Sequence, residues 1–264
     1  MADTTLRLSD KTIFLIGPLH HLQQTLANTL CELGADVAIV TNQERMARLF
    51  ADNLNDSREI NARHGRAAAL VYDPEDSTQM DHHLSTASQS LGSIDGVIDT
   101  RLGFYLEKLN DCEDSPASLA QSYLEETKQF WADVTPYLAS KAKGRFLMTS
   151  YSGLEAEHRQ DQFLAEVNKG LKDHMHSQAT EWIDKCISIN WLQLGITEEF
   201  LLCREPQKNS IQKTLEDLDR PGAKILDNQE VAVTISFFMS PLSQSLTGHH
   251  IFADRGEHLS HGSK

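Results

Sequence analysis

The sequence predicts an α/β fold: a single doubly wound domain whose seven-stranded, mostly parallel sheet carries helices on both faces. Three observations point there. Short apolar or β-branched runs recur with amphipathic stretches between them, the alternation that produces parallel βαβ units. Several of these runs are apolar almost throughout, as strands are when helices cover both faces of a sheet. Crossovers between parallel strands are right-handed, which favours the doubly wound topology.

The seven strand-like runs, in order, are KTIFLIG, ADVAIVTN, AAALVYD, SIDGVIDT, GRFLMTS, KCISINWLQLG and GHHIFAD. Between the first two, Leu22, Leu26, Leu30 and Leu33 fall at steps of four and three along one helical face, and Gly34 closes the helix. The domain is expected to span 1–264, with its core at about 10–256. Residues 202–228 form the most loop-like interior piece, either a lid or a surface excursion, and 257–264 read as a loose tail. No internal repeat interrupts the alternation.

Composition narrows the partners. In 264 residues, 24 basic side chains against 38 acidic ones give a formal charge of -14, which repels nucleic acid and anionic lipid. Neither is expected as a partner. The four cysteines, Cys31, Cys112, Cys186 and Cys203, are far apart with no CxxC pair, so they read as reduced thiols rather than a disulfide framework or zinc knuckle. Without a signal-peptide pattern or an apolar run near about 18 residues, the chain is expected to be soluble and cytoplasmic.

The order of pieces resembles the short-chain dehydrogenase/reductase family, a Rossmann-like fold, from about residue 10 to residue 256. Gly17 sits at that family's first nucleotide-loop glycine. In LVYDPED, Asp73 matches the aspartate that contacts adenine, and in FLMTSYSG, Ser150 matches the catalytic serine. AEVNKGL resembles the Tyr-x-x-x-Lys helix with Lys169 kept. INWLQLGIT keeps Gly195 and Thr197 of the segment after the sixth strand, and GHHIFADRG keeps Gly248, Asp254 and Gly256 of the closing strand. The resemblance implies NAD or NADP as cofactor, with Gly17, Asp73 and Thr197 as cofactor-contacting positions.

The departures matter as much as the matches. The family's loop glycines let backbone N–H groups approach the pyrophosphate at a helix N-terminus, but the second and third glycine places hold His21 and Gln23. Both side chains are expected to fill the phosphate volume. After the fourth strand, DTRL puts Arg101 where the family has a small residue; an ion pair with Asp99 is favoured over a contact with phosphate or substrate carboxylate. Ala165 lies four residues before Lys169, at the place of the proton-transferring tyrosine, and Gln162 lies seven before it, at the longer spacing of enoyl reductases. Phe163 cannot donate a proton, and Tyr151, next to Ser150 on a strand, points to the opposite face. The relay asparagine is replaced by an acid, read as Glu125.

Losing a positioned acid or base costs about 10²–10⁴ in rate, and losing the hydride carrier removes the reaction. Ser150 and Lys169 therefore read as remnants, with no catalytic residue and no cofactor expected. Twelve histidines invite a metal, but Asp81–His83, His174–His176 and Gly248–His250 lack the i, i+4 pair with an acid that marks a zincin, so no metal is expected. SYSG lacks the glycine of a nucleophile elbow. The resemblance implies a non-catalytic subunit that assembles with itself, as dimer or tetramer, or with an intact family member in an acyl-CoA or ketone/alcohol oxidoreductase complex. Its assembly surface would be the helices around 119–139, with Tyr123, Phe130, Trp131 and Tyr137, and around 163–183. The alternatives are an atypical NAD(P)-dependent oxidoreductase with a remodelled loop, and a small-molecule-binding regulator.

Overall fold

The computed structural model of the chain describes residues 6–61, 63–74, 76, 79–140, 143–153, 158–204 and 225–260. The strands are β1 (Thr12–Ile16), β2 (Asp36–Thr41), β3 (Ala67–Val71), β4 (Gly96–Asp99), β5 (Gly144–Tyr151), β6 (Ile187–Leu194) and β7 (His250–Ala253). They form one sheet in the order β3-β2-β1-β4-β5-β6-β7. Every pairing in it is parallel, in keeping with the mostly parallel seven-stranded sheet that the sequence predicts. The order reverses between β1 and β4, which pair from Ile13 with Gly96 to Ile16 with Asp99. That switch point opens a crevice at the C-terminal strand ends.

Helices cover both faces: α1 (His21–Glu32), α2 (Glu44–Ile60), α3 (Met80–Leu91), α4 (Leu102–Asp111), α5 (Pro116–Ala139), α6 (Arg159–Ile183), α7 (Glu198–Arg204), α8 (Asn228–Met239) and α9 (Glu257–Ser260). Strand alternation divides β5 between the two layers. Phe146 meets Phe130 and Trp131 of α5 and Trp182 of α6, each edge-on at 5.7 to 6.4 Å. The opposite side of the sheet faces α8, where a Cβ on Gly96 would lie 2.8 Å from the Met239 sulfur. Leu22, Leu26 and Leu30 of α1 are buried as their spacing requires. The chain leaves that helix through Gly34 at φ +94.

Two expectations change here. Tyr123, Phe130 and Trp131 are 1–2% exposed, so these three rings of α5 belong to the core, while Tyr137 reaches the surface and donates to Asp81 Oδ1 at 2.9 Å. A 24-residue amphipathic helix with one aromatic stripe turns that stripe to the sheet. The supposed loose tail begins with the ordered turn α9, in which Glu257 is buried and the Asp254 carboxylate accepts from the backbone N–H groups of Gly256 and His258. Of the 202–228 excursion, 205–224 lie outside the described residues; Leu226 returns to donate its N–H to the Ile196 carbonyl at 2.7 Å.

Candidate functional site

The crevice between β1 and β4 is where a doubly wound sheet holds its ligand, and here the chain's own side chains fill it. Gly17 packs directly on the end of β4: a Cβ there would stand 1.9 Å from Thr100 Oγ1 and 2.9 Å from the Thr100 carbonyl carbon, at φ +153. Pro18 occupies the next gap, 2.5 Å from where a Cβ on Gly103 of α4 would lie. Leu19 and Gln23 are both buried. The Gln23 Oε1 lies 3.1 Å from the Thr100 hydroxyl, which also reaches the Ile16 carbonyl at 2.9 Å. Gln23 thus fills the crevice as its position in the loop suggests. His21 does not: its side chain is 72% exposed and lies 3.8 Å from Glu198, because as the first residue of α1 it projects off the outer side of the helix.

A residue that the sequence reading passed over completes the closure. Helix α1 has no side-chain cap from His20 and no acid in its first turn, leaving first-turn N–H groups and the positive end of the helix dipole to be satisfied. Glu199 of α7 supplies the anion. Its Oε1 accepts from the Leu22 N–H at 2.5 Å and from Asn228 Nδ2 at 3.2 Å, and the side chain is buried. This is the kind of position at which a helix N-terminus takes a phosphate. Thr197 fixes α7: fully buried, it accepts the Phe200 N–H at 3.1 Å, so the family-matching threonine serves here as a helix cap. The Tyr151 ring stacks on Phe200 at 5.2 Å. Burial and then the Glu199 charge push the Tyr151 phenol up, so it stays protonated. Between Leu22, Gln23, Leu26, Tyr151 and Phe200 about 30 Å³ of water-accessible space remains, room for a water or two.

The catalytic matches are not brought together. Ser150 is fully buried, and its Oγ accepts from Trp191 Nε1 at 2.8 Å; Tyr151 does face the other way. Ala165 and Lys169 lie on the exposed side of α6. Phe163, two residues before Ala165, and Val167 are by contrast fully buried. Ala165 and Lys169 thus point away from the sheet, and neither Ala165 nor Phe163 carries a phenol. Phe163 lies against Tyr105 and Tyr123. Glu125 is likewise on the solvent side, bonded to Gln121 Nε2 at 2.9 Å. The acid one step along, Glu126, hydrogen-bonds Tyr105, whose phenol is pushed up by burial first and by Glu126 second. Asp73, past the end of β3, is exposed and does not line the closed crevice.

Arg101 forms the ion pair the sequence favours. Its Nε and Nη2 donate to the two Asp99 oxygens at 3.0 and 2.9 Å, and its backbone N–H donates to Oδ1 at 3.0 Å. The guanidinium carbon stands 4.0 Å over the Phe130 ring. Burial opposes the charged form, but the Asp99 carboxylate outweighs it and the guanidinium holds its proton more tightly than usual. Both side chains are almost fully enclosed, so no fork is free for a phosphate. Of the histidine groups, His83 is buried edge-on to Tyr72, His250 stacks on Trp191, and His82, His176 and His249 are exposed.

The family model described as enoyl-(acyl carrier protein) reductase matches residues 23–258, beginning inside α1, after the glycine loop. The chain belongs to the short-chain dehydrogenase/reductase family. A crystal structure of a short chain dehydrogenase from Mycobacterium smegmatis has the same fold, with a TM-score of 0.68 and 17% identity over 94% of this chain and 93% of that one. No curated protein matches. Family members are typically NAD(P)-dependent oxidoreductases, which makes the filled crevice the feature to explain. Among the described residues no helix is long and apolar enough to cross a membrane.

Proposed function

We propose that this chain is a non-catalytic member of the short-chain dehydrogenase/reductase family that works in an assembly, with itself or with an intact family member of an acyl-CoA or ketone/alcohol oxidoreductase. The observation that carries the proposal is the Glu199 carboxylate on the Leu22 N–H: an anion belonging to the chain occupies the helix end where a dinucleotide would put its pyrophosphate. The absence of a phenol at either Ala165 or Phe163 supports it independently, since restoring cofactor alone would leave no general acid at the substrate oxygen. With the aromatic stripe of α5 buried, the outer faces of α5 and α6 remain for a partner. The close approach of those helices, where a Cβ on Gly170 would meet Leu124 at 2.3 Å, makes them one rigid layer.

The test is turnover and mass together. The purified chain, given NAD(P)(H) with alcohols, ketones and hydroxyacyl thioesters, is expected to show no turnover, and light scattering is expected to report a dimer, a tetramer, or a complex with a co-expressed intact family member. Turnover by the chain alone that Ser150→Ala abolishes would overturn the proposal. It would promote the second reading, an atypical NAD(P)-dependent enzyme, which one feature favours: an open cleft of about 350 Å³ between Asn42, Pro74, Tyr105 and Lys108, at the ends of β2 and β3.

A further inference from the structure

At the mouth of the closed crevice three potential metal ligands converge from three separate elements: His20 before α1, Glu107 on α4 and Cys203 on α7. One ligand atom from each lies within 4.8 Å of the other two, and His20 Nε2 is 2.5 Å from Glu107 Oε1. Cys203 is buried while the other two are half-buried, so the trio opens to solvent on one side. Secondary contacts hold the cysteine in place: Asn110 Nδ2 donates to the Cys203 carbonyl at 2.7 Å, and Gln160 Nε2 donates to Asn110 Oδ1 at 2.8 Å.

The electrostatics of the pocket are unbalanced. Glu199, 5% exposed, lines the same cavity as His20 and Cys203, and its Oε2 is buried without a hydrogen-bond partner. Two carboxylates thus face one imidazole and one thiol. Burial pushes the Cys203 thiol up to about 12, and the charges of Glu107 and Glu199 add to the rise. The hydrogen bond from Glu107 raises His20. A buried, unpartnered carboxylate oxygen is costly, and a cation relieves it.

We propose that His20, Glu107 and Cys203 form a binding site for a divalent cation of the zinc class. One nitrogen, one oxygen and one sulfur ligand suit a borderline-soft ion. A tetrahedral shell with bonds of roughly 2.0–2.3 Å sets its ligand atoms about 3.3–3.8 Å apart, so the His20–Glu107 pair, 2.5 Å apart, opens by about 1 Å around the ion while Cys203, within 4.8 Å of both, draws in, movements that side-chain rotation supplies. Binding forms an S–metal bond as the Cys203 proton leaves to buffer, and an imidazolium proton leaves with it when His20 is charged. A water takes the fourth position, and the Glu199 charge stands behind the shell. The ion would tie α7 to α1 and α4 and so hold the Glu199 plug in place. This site is independent of the assembly proposed above.

The full-length chain is loaded with Zn²⁺ or Co²⁺, freed of excess metal, and read by elemental analysis and absorption. One ion per chain is expected, with a thiolate-to-cobalt charge-transfer band and the visible bands of tetrahedral cobalt. Cys203→Ser is expected to remove the band while Cys186→Ser keeps it, and His20→Ala and Glu107→Gln are each expected to weaken binding at least about tenfold, as loss of a ligand interaction does. Circular dichroism checks that each variant is folded. Should Cys203→Ser fail to fold, the band in Cys186→Ser together with its appearance only at about tenfold higher cobalt in Glu107→Gln still reports the site. Failure to retain metal, retention unaffected by Cys203→Ser, or a cobalt spectrum without a thiolate band would overturn the proposal.

Discussion

Asp99 and Arg101 show how one position decides between ligand binding and structure. A surface ion pair is worth little, but this one is enclosed, bidentate and backed by the Phe130 ring, so removing one partner strands a charge in the core. Arg101→Ala is expected to cost about 3–5 kcal/mol in urea unfolding, and the double variant Asp99→Ala/Arg101→Ala less than the sum of the singles; additive losses would mean that the pair is not coupled. The pair could be anticipated from sequence, because residues two apart around a strand end can meet. Glu199 could not, since it lies 177 residues from Leu22 and nothing local marks it. Glu199→Ala leaves the Leu22 N–H without its acceptor and the α1 dipole without its counter-charge. A loss of about 1–3 kcal/mol is expected, and an unchanged midpoint of denaturation would show that the contact carries no energy.

At the scale of elements, the strands were legible because a parallel sheet covered on both faces needs near-continuous apolar runs, and each of the seven runs holds one of the seven strands. Helix faces were less legible. A stripe of large aromatics on α5 fits core and interface equally, and only the sheet beneath it decides; that Ala165 and Lys169 face outward on α6 is likewise hidden from motif spacing, which does not report which side of a helix packs. The edge strand β7 carries its own pH dependence. His250 stacks at 3.6 Å on Trp191 and its Nε2 lies 2.8 Å from Gln193 Oε1. Burial first, then Lys172 and His258, push its pKa down to about 4. The unfolded chain takes up a proton near pH 6.5 that the folded one refuses until about pH 4, so this histidine costs stability as pH falls through that window. His20, raised by Glu107, acts in the opposite sense, its contribution fading as pH rises. The thermal midpoint is therefore expected to drop less between pH 6.5 and 4.5 in His250→Gln than in the wild type; equal slopes would remove His250 from the pH response.

Across the whole molecule, a family fold persists around a crevice that its own residues have closed. Gly17, kept from the nucleotide loop, is explained by the approach of β1's end to Thr100 rather than by a phosphate. Thr197 caps a helix, Ser150 hydrogen-bonds a tryptophan, and Glu199 holds the helix end. Gly17, Thr197 and Ser150 thus each have a structural task in this chain, whereas the family-matching Asp73 and Lys169 are exposed. Calorimetric titration of the purified protein with NADH and NADPH tests the closed crevice most directly. No saturable heat is expected up to millimolar cofactor, whereas binding at low-micromolar concentration would contradict it and show that Glu199 and Gln23 yield the crevice to a dinucleotide.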